Sequence, residues 1–179
     1  MDTTDGDRTG KLTVATGTIL NTSDKDVQQK QLFVNNGGEL DTNVKHLELD
    51  DKLINKGTVK LSGKNTAEVN ELDYEITNES TATGTLELSE GKFKNNKGIT
   101  QQILTIKDSS TVLESALDKL SIGNIIITNN GTLTLSGKDE LEAQTFNHTL
   151  QGTDGKLQLA ESINVDIQGK VENKIINEG

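Results

Sequence analysis

Gly57-Thr58-Val59-Lys60-Leu61-Ser62-Gly63-Lys64 and Gly131-Thr132-Leu133-Thr134-Leu135-Ser136-Gly137-Lys138 are two copies of one phrase. Each follows an apolar run that ends in asparagine, Leu53-Ile54-Asn55 in the first case and Ile126-Ile127-Thr128-Asn129 in the second. A third copy is Gly84-Thr85-Leu86-Glu87-Leu88-Ser89. Weaker copies occupy 10–14, 38–41 and 155–159, and Ile103-Leu104-Thr105-Ile106-Lys107 repeats the alternation without its leading glycine. Inside each copy apolar and polar residues alternate, so one face of a strand turns inward and the other meets water. Asparagine and glycine accept the backbone of tight corners. Successive copies lie about 18 to about 29 residues apart, the period of a solenoid. One such unit cannot bury its apolar face alone and must stack on its neighbours.

Between the copies fall shorter apolar runs at 44–49, 72–76, 120–127, 163–167 and 174–176, which predict two or three strands per coil. Stacking sets like residues above one another, and amides at the corners can bond between layers. Asn35, Asn36, Asn55, Asn95, Asn96, Asn129 and Asn130, each beside or near a glycine, are the candidates for such ladders. The spacing of Val112, Leu113, Ala116, Leu117 and Leu120, with Thr111 and Glu114 at capping-box distance, predicts a short helical excursion over 109–122. A weaker one is predicted over 138–146. The fold class is therefore all-β, a parallel β-solenoid over 1–179, with an antiparallel β-sandwich as the alternative. Asn36-Gly37 and Asn130-Gly131 are hairpin signals that favour the sandwich.

Composition weighs toward the solenoid. Of 179 residues, 31% are hydrophobic and only 2% aromatic, and there is no proline. Aliphatic side chains alone suit a thin core, and proline is excluded from central paired strands. Low hydrophobicity with high charge also marks disorder, but a disordered chain has no reason to keep ordered alternation. The net charge of −10 argues against nucleic acid and anionic lipid as partners. With no cysteine there is neither a disulfide framework nor thiol chemistry. No stretch reaches the roughly 20 apolar residues of a membrane span, so no membrane insertion is expected. The first residues have no basic and apolar leader, and 171–179 read like the start of another repeat. The expectation is one solenoid stretch of a longer protein.

Chemistry-bearing residues are sparse. His46 beside Leu47 is expected on the solvent face of a strand, and neither it nor His148 sits in a catalytic motif. Glu48, Asp50 and Asp51 form the best carboxylate cluster, read first as a solvated edge and second as the acids of a polysaccharide-cleaving site. Phe33, Tyr74, Phe93 and Phe146 are too scattered to build a sugar platform. Asp2, Asp5 and Asp7 resemble half a calcium loop, and residues 36–41 faintly resemble glycine-aspartate calcium repeats, but neither recurs in tandem. Asn21, Asn78, Asn130 and Asn147 head glycosylation sequons. No catalytic residue, metal or cofactor is assigned.

The units at 53–64 and 126–138 resemble the coils of bacterial autotransporter passenger domains and related secreted filamentous adhesins. That resemblance implies a right-handed β-helix, export to the cell surface, and adhesion or self-association. The partners it implies are a host-cell or matrix protein, a glycan, or a second copy. The family also holds toxins and proteases. The expected role is thus a non-catalytic adhesin passenger. The alternatives are a glycan-cleaving or tailspike-like β-helix, and a structural stalk or toxin passenger.

Overall fold

The computed structural model describes residues 10–177 apart from 23, 65, 66, 80, 81, 138–142 and 162. The chain winds through about eight turns. β1 (Lys11–Val14) and β2 (Ile19–Asn21) make the first coil, β3 (Val27–Val34) and β4 (Glu39–Asn43) the second. The third coil adds a strand, running through β5 (Leu47–Asn55), β6 (Thr58–Ser62) and β7 (Val69–Glu71). β8 (Glu75–Thr77), β9 (Thr85–Ser89) and β10 (Lys92–Asn95) follow, then β11 (Ile99–Gln101), β12 (Ile103–Ile106) and β13 (Val112–Ala116). The last three coils hold β14 (Leu120–Ile122), β15 (Ile126–Asn129) and β16 (Thr132–Ser136); β17 (Gln144–Phe146), β18 (Thr149–Gln151) and β19 (Lys156–Leu159); and β20 (Val165–Ile167) with β21 (Lys174–Asn177).

Each strand pairs with the strand one coil away, and every pairing among the described residues is parallel. This rules out the antiparallel sandwich. Three sheets result: a first face β1-β3-β5-β8-β11-β14, a second β2-β4-β6-β9-β12-β15-β18, and a third β7-β10-β13-β16-β19-β21, while β17 and β20 pair separately. The hairpin signals are corners instead. At Asn36-Gly37 the Gly38 N–H bonds back to the Asn35 carbonyl, and the chain moves from the first face to the second.

Aliphatic columns run up the inside. Leu12, Leu32, Leu53, Ile76, Ile99 and Leu120 stand in register on the first face. Phe93, Leu113, Leu133, Leu157 and Ile175 do so on the third. Leu61, Leu88 and Ile106 form a second-face column. Full burial of each such side chain contributes about 1.5–3 kcal/mol, and the thin interior needs few of them per layer. Coil length varies without breaking register, because loops absorb the difference: 27 residues separate Val59 from Leu86 and 18 separate Leu86 from Leu104.

Buried amides hold the corners. Asn55, Asn95 and Asn129 are sealed inside, whereas Asn35, Asn36 and Asn96 are exposed and Asn130 is half-buried. The side-chain oxygens of Asn55, Asn95 and Asn129 accept from the N–H of Gly57, Gly98 and Gly131. Two of these amides bond across an intervening coil. Asn55 Nδ2 donates to Gln101 Oε1 at 2.7 Å, and Asn129 Nδ2 to Asn173 Oδ1 at 2.9 Å. Between each pair lies a glycine, Gly84 or Gly155. A Cβ at Gly84 would collide with the Asn55 carbonyl and lie 2.7 Å from Gln101 Oε1; one at Gly155 would collide with the Asn129 carbonyl and lie 2.7 Å from Asn173 Cγ. Glycine there lets the amides meet through the middle layer.

Of the helical excursion expected over 109–122, only one 3-10 turn is formed. Its residues make β13, a single 3-10 turn at Leu117–Lys119, and β14. Leu113 and Ser115 point inward, in register with Phe93 and Asn95 below and with Leu133 and Leu135 above. Strand partners on both sides outweigh a marginal local helix. Thr111 caps no helix, because the residues after it enter β13. Of the weaker helical stretch, 138–142 lies outside the described residues, and its end is the strand β17.

Candidate functional site

The outward side chains form ladders from coil to coil. On the second face Asp41, Lys60 and Glu87 stand in register. Lys60 reaches Glu39 at 2.7 Å, and Lys107 reaches Glu87 at 2.8 Å. The Glu39 carboxylate raises the Lys60 pKa, and Glu87 raises that of Lys107. Lys94 and Glu114 continue the theme on the third face at 3.5 Å. On the first face the Lys11 ammonium sits 3.6 Å from the centre of the Phe33 ring. Exposed pairs like these contribute little each, but a paired strand beneath every rung holds its spacing.

The first face is interrupted where the coil changes from two strands to three. Residues 47–49 of β5 pair with β3 on one side. On the other side β8 pairs with β5 only from Lys52 onward, because the chain arrives from β7 through a corner at 72–74. The gap is a cleft of about 250 Å³ lined by Leu47, Glu48, Leu49, Glu71, Asp73 and Tyr74. Asn95 Nδ2 holds the corner by bonding the Leu72 and Tyr74 carbonyls at 3.2 and 3.0 Å. Tyr74 is 3% exposed, its hydroxyl has no hydrogen-bond partner, and burial raises its pKa.

This cleft regroups the acids. Glu48 enters it, joined by Glu71 and Asp73, while Asp50 and Asp51 are not among its lining residues. Asp50 and Asp51 sit on a β-bulge, two residues facing Lys30 alone between the pairs Gln29–Leu49 and Gln31–Lys52. Asp51 accepts a bond from Gln31 Nε2. Glu71 and Asp73 were missed because they belong to the next corner, some two dozen residues downstream, roughly one coil period. Their apolar-acidic alternation with Leu72 and Tyr74 was the available signal.

A second opening lies between β14 and β17, which do not pair although β15 with β18 and β16 with β19 do. It is a cleft of about 420 Å³ whose walls include Leu120, Ile122, Ile125, Phe146 and His148. His148 Nδ1 lies 3.2 Å from the Asn124 carbonyl oxygen, its ring meets Phe146 edge-on at 5.4 Å, and burial lowers its pKa. His46 is not on a strand: it closes a 3-10 turn at Val44–His46, with Nδ1 2.5 Å from Asp26 Oδ1.

Asp2, Asp5 and Asp7 lie outside the described residues. In 36–41, Glu39 pairs with Lys60 and Asp41 accepts from Asn21 Nδ2. Among the described residues no three acids or histidines are grouped to hold a metal ion, and no helix is long and apolar enough to cross a membrane. Of the sequon asparagines, Asn21 and Asn147 are exposed. Asn78 is buried, with Nδ2 bonded to the Thr83 carbonyl, and Asn130 bonds the Lys107 carbonyl. No protein-family model, curated protein or solved structure matches the chain.

Proposed function

We propose that this solenoid is a non-catalytic contact surface of a secreted or cell-surface bacterial protein, an adhesin passenger that binds a host-cell or matrix protein, a glycan, or a second copy of itself. The observation that carries the reading is the second face. Seven parallel strands in unbroken order present outward side chains at fixed spacing, a shape suited to extended contact. Repeat resemblance supports the same role, as does a surface charge that keeps the chain dispersed. The test is binding of purified, labelled protein to cells and to a matrix and glycan array, with sedimentation to detect self-association. Saturable binding that Thr105→Arg with Thr128→Arg abolishes is expected. Absence of both adhesion and self-association would sink the reading.

One observation favours a second reading, a glycan-cleaving β-helix: Glu48 on β5, and Glu71 and Asp73 where the same coil ends, line one cleft. Such an enzyme needs two carboxylates flanking the scissile bond. It requires polysaccharide turnover by the wild type that Glu48→Gln or Glu71→Gln removes. No turnover in the wild type eliminates it.

A further inference from the structure

We propose that Asn36 is a site of spontaneous deamidation, in which the Gly37 backbone nitrogen attacks the Asn36 side-chain amide, and that the fold protects the same dipeptide at Asn130-Gly131. The site is independent of whatever the surface binds. In the reaction the Gly37 nitrogen gives up its proton and bonds to Asn36 Cγ, the Cγ–Nδ2 bond breaks, and ammonia leaves with that proton. Water then cleaves one of the two ring C–N bonds of the cyclic imide, leaving aspartate or isoaspartate. The attack needs a side-chain amide and a following N–H that are not held elsewhere. It also needs a following residue that does not crowd the nitrogen, and glycine has no Cβ to do so.

Both conditions hold at the corner between the first and second faces. Asn36 and Gly37 are exposed. Among the described residues neither the Asn36 side chain nor the Gly37 N–H makes a hydrogen bond. The peptide between them is tied through its carbonyl alone, which accepts from Thr16 Oγ1 at 2.8 Å. The corner itself demands the glycine, because Gly37 has a φ of +76°. Closure of the turn by the Gly38 N–H and the Asn35 carbonyl, at 2.8 Å, leaves the reacting atoms on its outer side, free of that bond.

Every one of these groups is held at the second copy of the dipeptide. Asn130 Nδ2 donates to the Lys107 carbonyl at 3.2 Å, and its Oδ1 accepts from the Thr153 N–H at 3.2 Å. The attacking group is occupied as well, since the Gly131 N–H donates to Asn129 Oδ1 at 3.2 Å. Gly131 is buried, and a Cβ there would collide with the Thr111 carbonyl. All three bonds have to open before nitrogen and Cγ can meet, and their partners sit in coils on both sides of Asn130. Two identical pairs of residues thus differ in reactivity through tertiary structure alone. Conversion at Asn36 adds a negative charge to the corner, and isoaspartate also lengthens the main chain there by one methylene.

The test is to age the full chain in mildly alkaline buffer at physiological temperature, both folded and unfolded in urea. Its peptides are then followed by mass spectrometry with fragmentation that separates isoaspartate from aspartate. In the folded protein the Asn36 peptide should convert about tenfold faster than the Asn130 peptide, because hydrogen bonds oppose the attack only at the second site. In urea the two rates should come together, since the reactive pair is the same. Thr16→Val keeps the shape of the side chain and removes the tie on the Asn36 carbonyl, so it should speed conversion about threefold. An Asn36 peptide as inert as the Asn130 peptide in the folded chain overturns the proposal. So does a rate difference that persists in urea, or a Thr16→Val variant that converts no faster than wild type.

Discussion

At the scale of single residues, alternation decides which side chains are indispensable. Leu61 is fully buried in its column, and Lys60 beside it faces out to Glu39. Leu61→Asp places an unpaired charge among aliphatic side chains and should cost on the order of 4 kcal/mol. Lys60→Asp should stay within about 1 kcal/mol, since exposed pairs are weak. Urea denaturation of both variants checks the contrast, and equal damage would refute the inward face. Gly155→Ala should cost on the order of 2 kcal/mol, because its methyl pushes into the Asn129–Asn173 bond.

His148 makes a pH-dependent contribution whose sign follows from its burial. Its folded pKa lies below the ordinary 6.5, so the unfolded chain takes up a proton first as pH falls. The contribution is complete above about pH 6.5 and declines below it. His148→Gln should therefore flatten the decline in stability as pH falls below about 6.5, measured as the difference between variant and wild type. An unchanged slope would place the imidazole in water.

At the scale of elements, the stretch 109–122 shows how a helical stripe can be read out of strand residues. Val112 and Leu113 share one face of a helix at that spacing, but on β13 they point to opposite sides. Leu113→Asp should destabilise on the order of 4 kcal/mol, and Val112→Asp should be tolerated. A helix burying its apolar stripe would suffer from both, so thermal melts of the pair discriminate directly. Hydrophobic periodicity over a short window cannot separate the two when a strand, a turn and another strand follow closely. Partners at 92–95 and 132–136 settle it, and they lie a full coil away on either side.

At the scale of the whole molecule, each coil touches mainly its neighbours, so stability is a sum of layer interfaces. In the middle coils the inward side chains of Ile76, Leu86, Ile99 and Leu104 are fully buried. At the first coil Ile19 is 71% exposed, and at the last Ile175 is 49% exposed. Hydrogen exchange should consequently be slowest at β8 through β13 and fastest at β1, β2, β20 and β21. Uniform protection from one end to the other would contradict a layered stack. The two interruptions of the first face are also properties of the stack, one where a third strand enters and one where β14 parts from β17.

Composition and periodicity alone determined that this protein is all-β and repetitive, that Val59, Leu61, Leu133 and Leu135 look inward, and that amide-glycine pairs mark corners. These are local consequences of a two-residue pleat and of which residues tolerate a bend, so they are written along the chain. The tertiary structure decided which asparagines are buried, that Asn55 and Asn129 bond two coils away through a glycine, and that Glu48 shares its cleft with Glu71 and Asp73 in place of Asp50 and Asp51. Such contacts depend on the length of each coil, which loops set one by one. Loops of unequal length leave the columns in register, so which residue lies above which follows from strand pairing and not from a fixed spacing along the chain.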